Sequence, residues 1–478
     1  MASGILWWRD LPLPSQDANP YSEPAYLLAL TGHLAGPANQ WVDLTLQKGN
    51  YFYPPGYFLL LASWIKVFGF SSDSLLGYTH VVHTLLVIAL WVLLRWRYAC
   101  SIIVTGLVTL SVFAAIPHGR PDGTAALLSA LAWLALPGDG RAWPWTRVMA
   151  SGGLAGATLL VSPAFGVGII ATLTALMLIG APGPIRARCQ SLLVWLVCAG
   201  VLFAGVISIL LTVEHAWTLA FVQFTTNVAV RGREVNVLPD MRSPYALMFS
   251  VVPFLLLAVA PACVVAARWR RRDTLWAVSV AFLSGAMVWF VLNKAELLLL
   301  HHYLFVSKSV FLAVFCTRRQ TPFWLKSGML LLVVAISVYF FKSEFLYLAT
   351  PLRAEARRYA ATVQPSGTLA VDPLYFSQFY RPGHTLDYIG TTQLASWTRF
   401  LAAIPDRFRS DVLAGLPDAP APPSMIVVSA MTVWTFGPPH FDDFQCDDRA
   451  APIARLHALG RTWNLPAEPY AIQVCVPR

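Results

Sequence analysis

The sequence predicts an all-α polytopic membrane bundle of about ten spans, opened by juxtamembrane helices and closed by a small C-terminal α/β domain outside the cytoplasm. Three observations predict it. Of the 478 residues, 57% are hydrophobic and only 12% are charged, with a mean hydropathy of +0.59. An ordinary soluble domain carries about 25% charge. Second, apolar runs of near-span length follow one another between short loops. Third, the composition changes after residue 341, where Pro, Asp, Arg and Gly begin to punctuate short β-branched runs. These features divide the chain into a first outer loop with juxtamembrane helices (1–74), a transmembrane bundle (75–341) and an extracytoplasmic domain (342–478).

The first region is organised around residues 17–56. It begins Asp17-Ala18-Asn19-Pro20-Tyr21-Ser22-Glu23-Pro24 and closes at Tyr53-Pro54-Pro55-Gly56. Proline is tolerated in a first helical turn, where its missing N–H would be unpaired anyway. Helices are therefore expected over Pro24–Gly36 and Pro54–Gly69, with Asp17 and Glu23 beside the first beginning. An ionised carboxylate there is favoured by the positive helix end and stays wet. The second stretch is too short to cross a hydrocarbon core of about 30 Å and carries Lys66, so it reads as interfacial.

The expected spans lie near 75–94, 99–116, 123–137, 147–162, 164–181, 190–212, 244–267, 273–292, 298–316 and 321–341. Lys and Arg of short loops are retained on the cytoplasmic side. Alternate loops carry Arg95 and Arg97; Arg141 and Arg147; Arg186 and Arg188; Arg268, Arg270, Arg271 and Arg272; then Arg318, Arg319 and Lys326. The other internal loops hold Arg120, Arg231, Arg233, Arg242 and Lys294. The opening loop, 117–123, 213–243 and everything after about 342 are thus expected outside. This order leaves an outside N-terminus, and Met1 to Arg9 holds nothing that would translocate it. A further span ahead of residue 1 is therefore expected, with a ten-span protein as the alternative. The net charge of +10 resides in these topological clusters, which argues against nucleic acid as a partner.

Beyond residue 342, Thr368–Val371, Met425–Val428 and Tyr470–Val474 read as strands alternating with helical stretches near 353–362 and 393–415. Five of the seven cysteines, Cys100, Cys189, Cys198, Cys263 and Cys316, lie in or at the ends of apolar runs. Cys446 and Cys475 lie in the polar region, where a disulfide and two free thiols are both open readings.

The outer side collects the polar groups. Glu23 and Asp17 come from the first loop, and His118, Arg120 and Asp122 from the second. Glu214, Gln223, Arg231 and Arg233 come from 213–243, while His301, His302 and Tyr303 stand near the start of the ninth span. Lys308 lies inside that span, where an ionisable group is costly and marks either a site or a structural ion pair. His80 and His83 share a helix face and read as packing residues, since a zinc site needs three or four converging ligands. A carboxylate near cationic donors suits base-assisted attack by a hydroxyl while a phosphate departs, and Arg binds phosphate through two parallel hydrogen bonds.

The order Ser22-Glu23-Pro24, Leu34-Ala35-Gly36, Tyr53-Pro54-Pro55-Gly56-Tyr57, Val67-Phe68-Gly69 and Gly119-Arg120-Pro121-Asp122 resembles the bacterial GT-C glycosyltransferases, relatives of the protein O-mannosyltransferases and aminoarabinose transferases. By motif the resemblance covers 17–137. It implies inverting transfer of a sugar from a polyprenyl-phosphate carrier to a glycan, lipid or protein acceptor at the outer face of a bacterial inner membrane. It implies Glu23 as base with Asp17 as rival, and Asp122 as the second acidic residue. Arg120, His118, Tyr53, His301, His302, Tyr303, Lys308 and Arg231 are the expected substrate and phosphate contacts. No metal or other cofactor is implied, although the oligosaccharyltransferase branch uses a divalent cation. The sequence departs from the family at Ser22, where the better-studied branches carry a second acidic residue. Two other readings remain: a transporter or flippase of lipid-linked sugars, and a non-catalytic assembly partner with the same fold.

Overall fold

The computed structural model describes residues 18–36, 48–51, 53–112, 116, 119–136, 143–180, 183–234, 252–293, 303–318, 321–331, 333–334 and 360–361, with strand segments between 369 and 477. The first helix, α1, is Ala18–Thr31. It starts earlier than the proline reading expected, because Pro20 takes the first-turn position and Pro24 falls inside the helix. Glu23 is therefore not at a helix beginning. It is 1% exposed, so the expectation of a wet carboxylate is corrected.

Helix α2, Gly56–Phe68, follows the double proline as expected. Pro55 is its N-cap, and Gly69 ends it at φ 76° with its N–H on the carbonyl of Ile65. Its thirteen residues reach only about 20 Å. Gly56 lets α2 back directly onto the next layer, since a Cβ there would lie 2.8 Å from the carbonyl carbon and oxygen of Leu160.

Ser71 caps α3 (Ser72–Val92), accepting from the Ser74 N–H, with Asp73 in the first turn. The Trp64 indole donates to the Ser74 carbonyl at 2.9 Å, tying α2 to the start of α3. A π-helical turn, Leu93–Arg97, continues α3. Then come α4 (Ile102–Leu110), α5 (Asp122–Ala135), α6 (Trp145–Val161), α7 (Pro163–Gly180), α8 (Ile185–Val213), α9 (Trp217–Glu234), α10 (Val252–Ala267), α11 (Thr274–Asn293) and α12 (Phe305–Thr317). Residues 323–331 are helical as well.

Each expected apolar run contains a helix. Among the described residues three helical stretches are long and apolar enough to cross a membrane: Ser72–Arg97, Pro163–Gly180 and Ile185–Val213. The chain is thus a multi-pass membrane protein, with further short apolar helices packed among these. Helix α9 lies in a segment expected only as a loop. Its polar composition hid it, yet no proline interrupts it.

Packing pairs α3 with α5, α5 with α6, α6 with α8, and α7 with α11. On α6, Gly152 and Gly156 are four apart and meet the Trp195 and Ala199 carbonyl oxygens of α8, each 2.4 Å from where a Cβ would sit. Small residues at this spacing let helices approach where lipid supplies no hydrophobic drive. The buried Trp195 indole donates to Ser151 Oγ at 2.9 Å, and Ser151 donates to the Ala132 carbonyl at 2.7 Å. That relay joins α8, α6 and α5 and leaves its own donors satisfied.

The loops sort into two ends. At one, Arg97 donates to the Trp133 and Leu136 carbonyls, Arg95 to that of Cys100, and Ser101 N–H to Thr317 Oγ1. The other end gathers residues 21–36, 48–51, 53–58, 119–124, 160–165 and 214–223 through the contacts described next.

In the C-terminal region a five-stranded sheet has the order β2-β1-β3-β7-β4, from β1 (Leu369–Val371), β2 (Leu386–Tyr388), β3 (Met425–Ser429), β4 (Phe444–Cys446) and β7 (Ile472–Pro477). β1 pairs parallel with β2 and β3, whereas β7 pairs antiparallel with β3 and β4. β5 (Ile453–Ala458) and β6 (Arg461–Pro466) form a separate antiparallel pair. The three strand runs expected from sequence overlap β1, β3 and β7, the last only over 472–474. Of the expected helical stretches only 360–361 is among the described residues.

Candidate functional site

At the second end the start of α5 carries the charge. Pro121 caps the helix and Asp122 opens it, so the carboxylate meets the positive helix end. Arg120 Nε lies 2.8 Å from Asp122 Oδ2; Asp122's side chain is 2% exposed and that of Arg120 25%. The ion pair is thus buried on its acidic side and open on its basic side. The Tyr57 hydroxyl donates to the Gly119 carbonyl at 3.3 Å, and the Tyr78 and Thr124 hydroxyls lie 3.0 Å apart. Helices α2 and α3 therefore hold Gly119 and the start of α5 from two sides.

Helix α1 brings Tyr21 to this pair. Its ring lies 5.0 Å from Tyr53, 5.8 Å from Tyr57 and 6.2 Å from Phe58. Burial pushes the Tyr21 phenol well up, Tyr53 and Asp122 push the same way, and Arg120 opposes them. Tyr21 is accordingly a neutral donor within the field of the Arg120–Asp122 pair. Glu23 lies two residues on, which at about 100° per residue turns it to another face of α1. Tyr21, Ser22, Glu23, Pro24 and Ala25 are all buried, so α1 is enclosed on all sides over that stretch.

A second set of contacts ties this loop to the α8–α9 corner. Tyr51 donates through its hydroxyl to Glu214 Oε2, and Leu34 N–H donates to Glu214 Oε1 at 3.3 Å. Gln223 accepts from the Tyr51 N–H at 2.9 Å and donates to the Gly49 carbonyl at 2.7 Å. Asn50 N–H donates to the Leu34 carbonyl at 2.7 Å. The two side chains close a stem formed by residues 34 and 49–51, immediately before Tyr53.

Tyr303 packs between Phe165 at 5.4 Å and Trp289 at 5.6 Å. Lys308, one turn into α12, is 9% exposed with Nζ 5.1 Å from the Phe305 ring centroid. The buried His83 packs against Gly123. Among the described residues no three His, Cys, Asp or Glu side chains converge as a metal group would.

Of the sequence candidates, Tyr53, Arg120 and Asp122 meet around Tyr21, and Glu23 is buried beside them in the chain. Asp17, His118, His301 and His302 lie outside the described residues, and of Arg231 only its place in α9 is described. Sequence reasoning gave no role to Tyr21, Tyr51 or Tyr57. Their signal was the tyrosine-proline clustering in 17–57. Glu214 and Gln223 were visible only as members of a polar loop.

No protein-family model matches the chain, and no curated protein matches it. Among solved structures it is similar to ArnT from Cupriavidus metallidurans bound to undecaprenyl phosphate. That similarity has a TM-score of 0.45 and 13% sequence identity, over 99% of this chain and 96% of that one.

Proposed function

We propose that the chain is an integral-membrane inverting glycosyltransferase that moves a sugar from a polyprenyl-phosphate carrier to an acceptor hydroxyl on the outer face. The observation that carries this reading is the burial of two carboxylates from separate segments, Glu23 and Asp122, each 1% exposed, with the half-open Arg120 against the second.

In the reaction the acceptor oxygen forms a bond to the anomeric carbon while the bond from that carbon to phosphate oxygen breaks. Glu23 takes the hydroxyl proton, with Asp17 as the rival base, and polyprenyl phosphate leaves as the anion. Arg120 faces the departing charge through its open side, and Asp122 fixes the guanidinium. Tyr53 and the protonated Tyr21 donate hydrogen bonds to sugar or phosphate. His118, His301, His302, Tyr303, Lys308 and Arg231 are proposed donor-lipid contacts. The acceptor belongs to the glycan, lipid or protein classes, the host membrane is a bacterial inner membrane, and residues 342–478 stand on its outer side.

One observation favours this reading over transport. Three arginines of the opposite end donate to backbone carbonyls: Arg95, Arg97 and Arg188, the last to Leu178 at 3.0 Å and Gly183 at 3.1 Å; a fourth, Arg268, is paired with Asp273. A carrier alternating between faces needs polar groups lining both.

The test incubates membranes holding the full chain with radiolabelled undecaprenyl-phosphate sugars and mixed acceptors. Glu23→Gln is expected to abolish transfer while leaving insertion and donor binding intact. Full transfer by a variant lacking both Glu23 and Asp17 would sink the mechanism.

A further inference from the structure

Strands β4 and β7 pair antiparallel in the register Phe444–Pro477, Gln445–Val476 and Cys446–Cys475. The two cysteines of the C-terminal region are therefore cross-strand partners. Residues directly opposed in an antiparallel pair have Cα atoms about 4.5–5.5 Å apart, and a disulfide spans Cα separations of about 4.4–6.8 Å. The register alone thus meets the backbone requirement; the two thiols themselves lie outside the described residues.

The other five cysteines behave differently. Cys100, Cys189, Cys198, Cys263 and Cys316 are free and belong to the helical bundle or its connections. β4 is a three-residue strand at the edge of the five-stranded sheet. Three ladder positions hold it, and β5 and β6 are inserted in the chain between its cysteine and that of β7. A short edge strand whose chain then leaves for a separate hairpin is a weak point of such a sheet.

We propose that Cys446 and Cys475 form a structural disulfide that fastens β4 to β7 and closes the β5–β6 excursion into a covalent loop. Disulfides persist outside the cytoplasm, which is where the basic loops place this region. Bond formation joins the two sulfurs, releases two protons and passes two electrons to the disulfide of an extracytoplasmic dithiol oxidase. That oxidant leaves as its dithiol, through a mixed disulfide. The proposal does not depend on the glycosyltransferase reading.

Membranes holding the full chain are quenched in acid, denatured, alkylated before and after reduction with distinguishable reagents, and digested for mass spectrometry. Cys446 and Cys475 are expected to take only the post-reduction label and to appear unreduced as one linked peptide pair. The five bundle cysteines take the first label. In Cys446→Ser, Cys475 moves to the first label, which shows that its protection came from the partner. First labelling of both cysteines in the unaltered chain, or linkage of either to a different cysteine, overturns the proposal.

Discussion

Tyr51 donates its phenolic hydrogen bond to Glu214, joining the first loop to the corner between α8 and α9. The same carboxylate accepts the Leu34 N–H, and Gln223 holds Gly49 and Tyr51 from the next helix. Removing one partner of a hydrogen bond to a charged group costs about 1.5–3 kcal/mol. Tyr51 is only partly buried, so the low end applies. Tyr51→Phe and Glu214→Gln are each expected to lower the unfolding midpoint in detergent and to speed protease cleavage within 34–53. Their double variant is expected to lose less than the sum of the two single losses, because they share the Tyr51–Glu214 bond. Additive losses would show that the two side chains act separately.

The tyrosines of this end give the fold an alkaline limit. Burial raises the pKa of Tyr21, Tyr51 and Tyr57 above the ordinary value of 10.0, with Glu214 adding to the effect at Tyr51. A phenol raised on folding contributes stability that is fully present below its unfolded value. That contribution is lost as pH rises through the folded value, since the unfolded chain gives up its proton first. Thermal stability is therefore expected to be flat in these groups up to about pH 10 and to fall beyond it. Tyr51→Phe should flatten the fall. An equally steep decline in that variant would assign the alkaline limit to other groups.

The Arg120–Asp122 pair is asymmetric in exposure, and its variants should be asymmetric too. Arg120→Ala leaves a buried carboxylate without its guanidinium, a loss of roughly 3–5 kcal/mol for fully buried pairs. The partial exposure of Arg120 places the effect toward the lower figure. Asp122→Asn keeps the shape and removes the charge, so it costs less, and adding it to Arg120→Ala should recover part of the loss. Thermal unfolding of the four proteins checks this. Failure of the double variant to recover would mean that the pair contributes nothing through its charge.

The helices of the bundle were legible because apolar length is written locally, run by run. Helix α2 was legible for the same reason, since Pro54, Pro55 and Gly69 punctuate it within the chain. The start of α1 was misplaced because two prolines, Pro20 and Pro24, each offered a beginning, and only packing against α2 decides between them. Helix α9 was missed because its composition is polar and its Gln223 answers to Gly49 and Tyr51, contacts far away in sequence. Arg120 and Asp122 were found together because they are neighbours in the chain. That Tyr21 of α1 lies within their field depends on helix phase, which no motif states.

Gly123 follows Asp122 directly and is the position where packing and the candidate site meet. A Cβ there would lie 2.9 Å from His83 Nε2 and 3.0 Å from Cδ2. The imidazole is buried on α3 and has little freedom to retreat, so Gly123→Ala is expected to destabilise by about 1–3 kcal/mol, as overpacking does. The displaced backbone carries Asp122 with it. Gly156→Ala meets a comparable obstacle, the Ala199 carbonyl at 2.4 Å, on a helix pair without candidate residues. Both variants should lose stability, but only Gly123→Ala should lose transfer per folded molecule. Adding His83→Ala to Gly123→Ala reopens the space and should restore part of that transfer. Equal activity per folded molecule in the two glycine variants would separate Gly123 from the site and make it a packing residue alone.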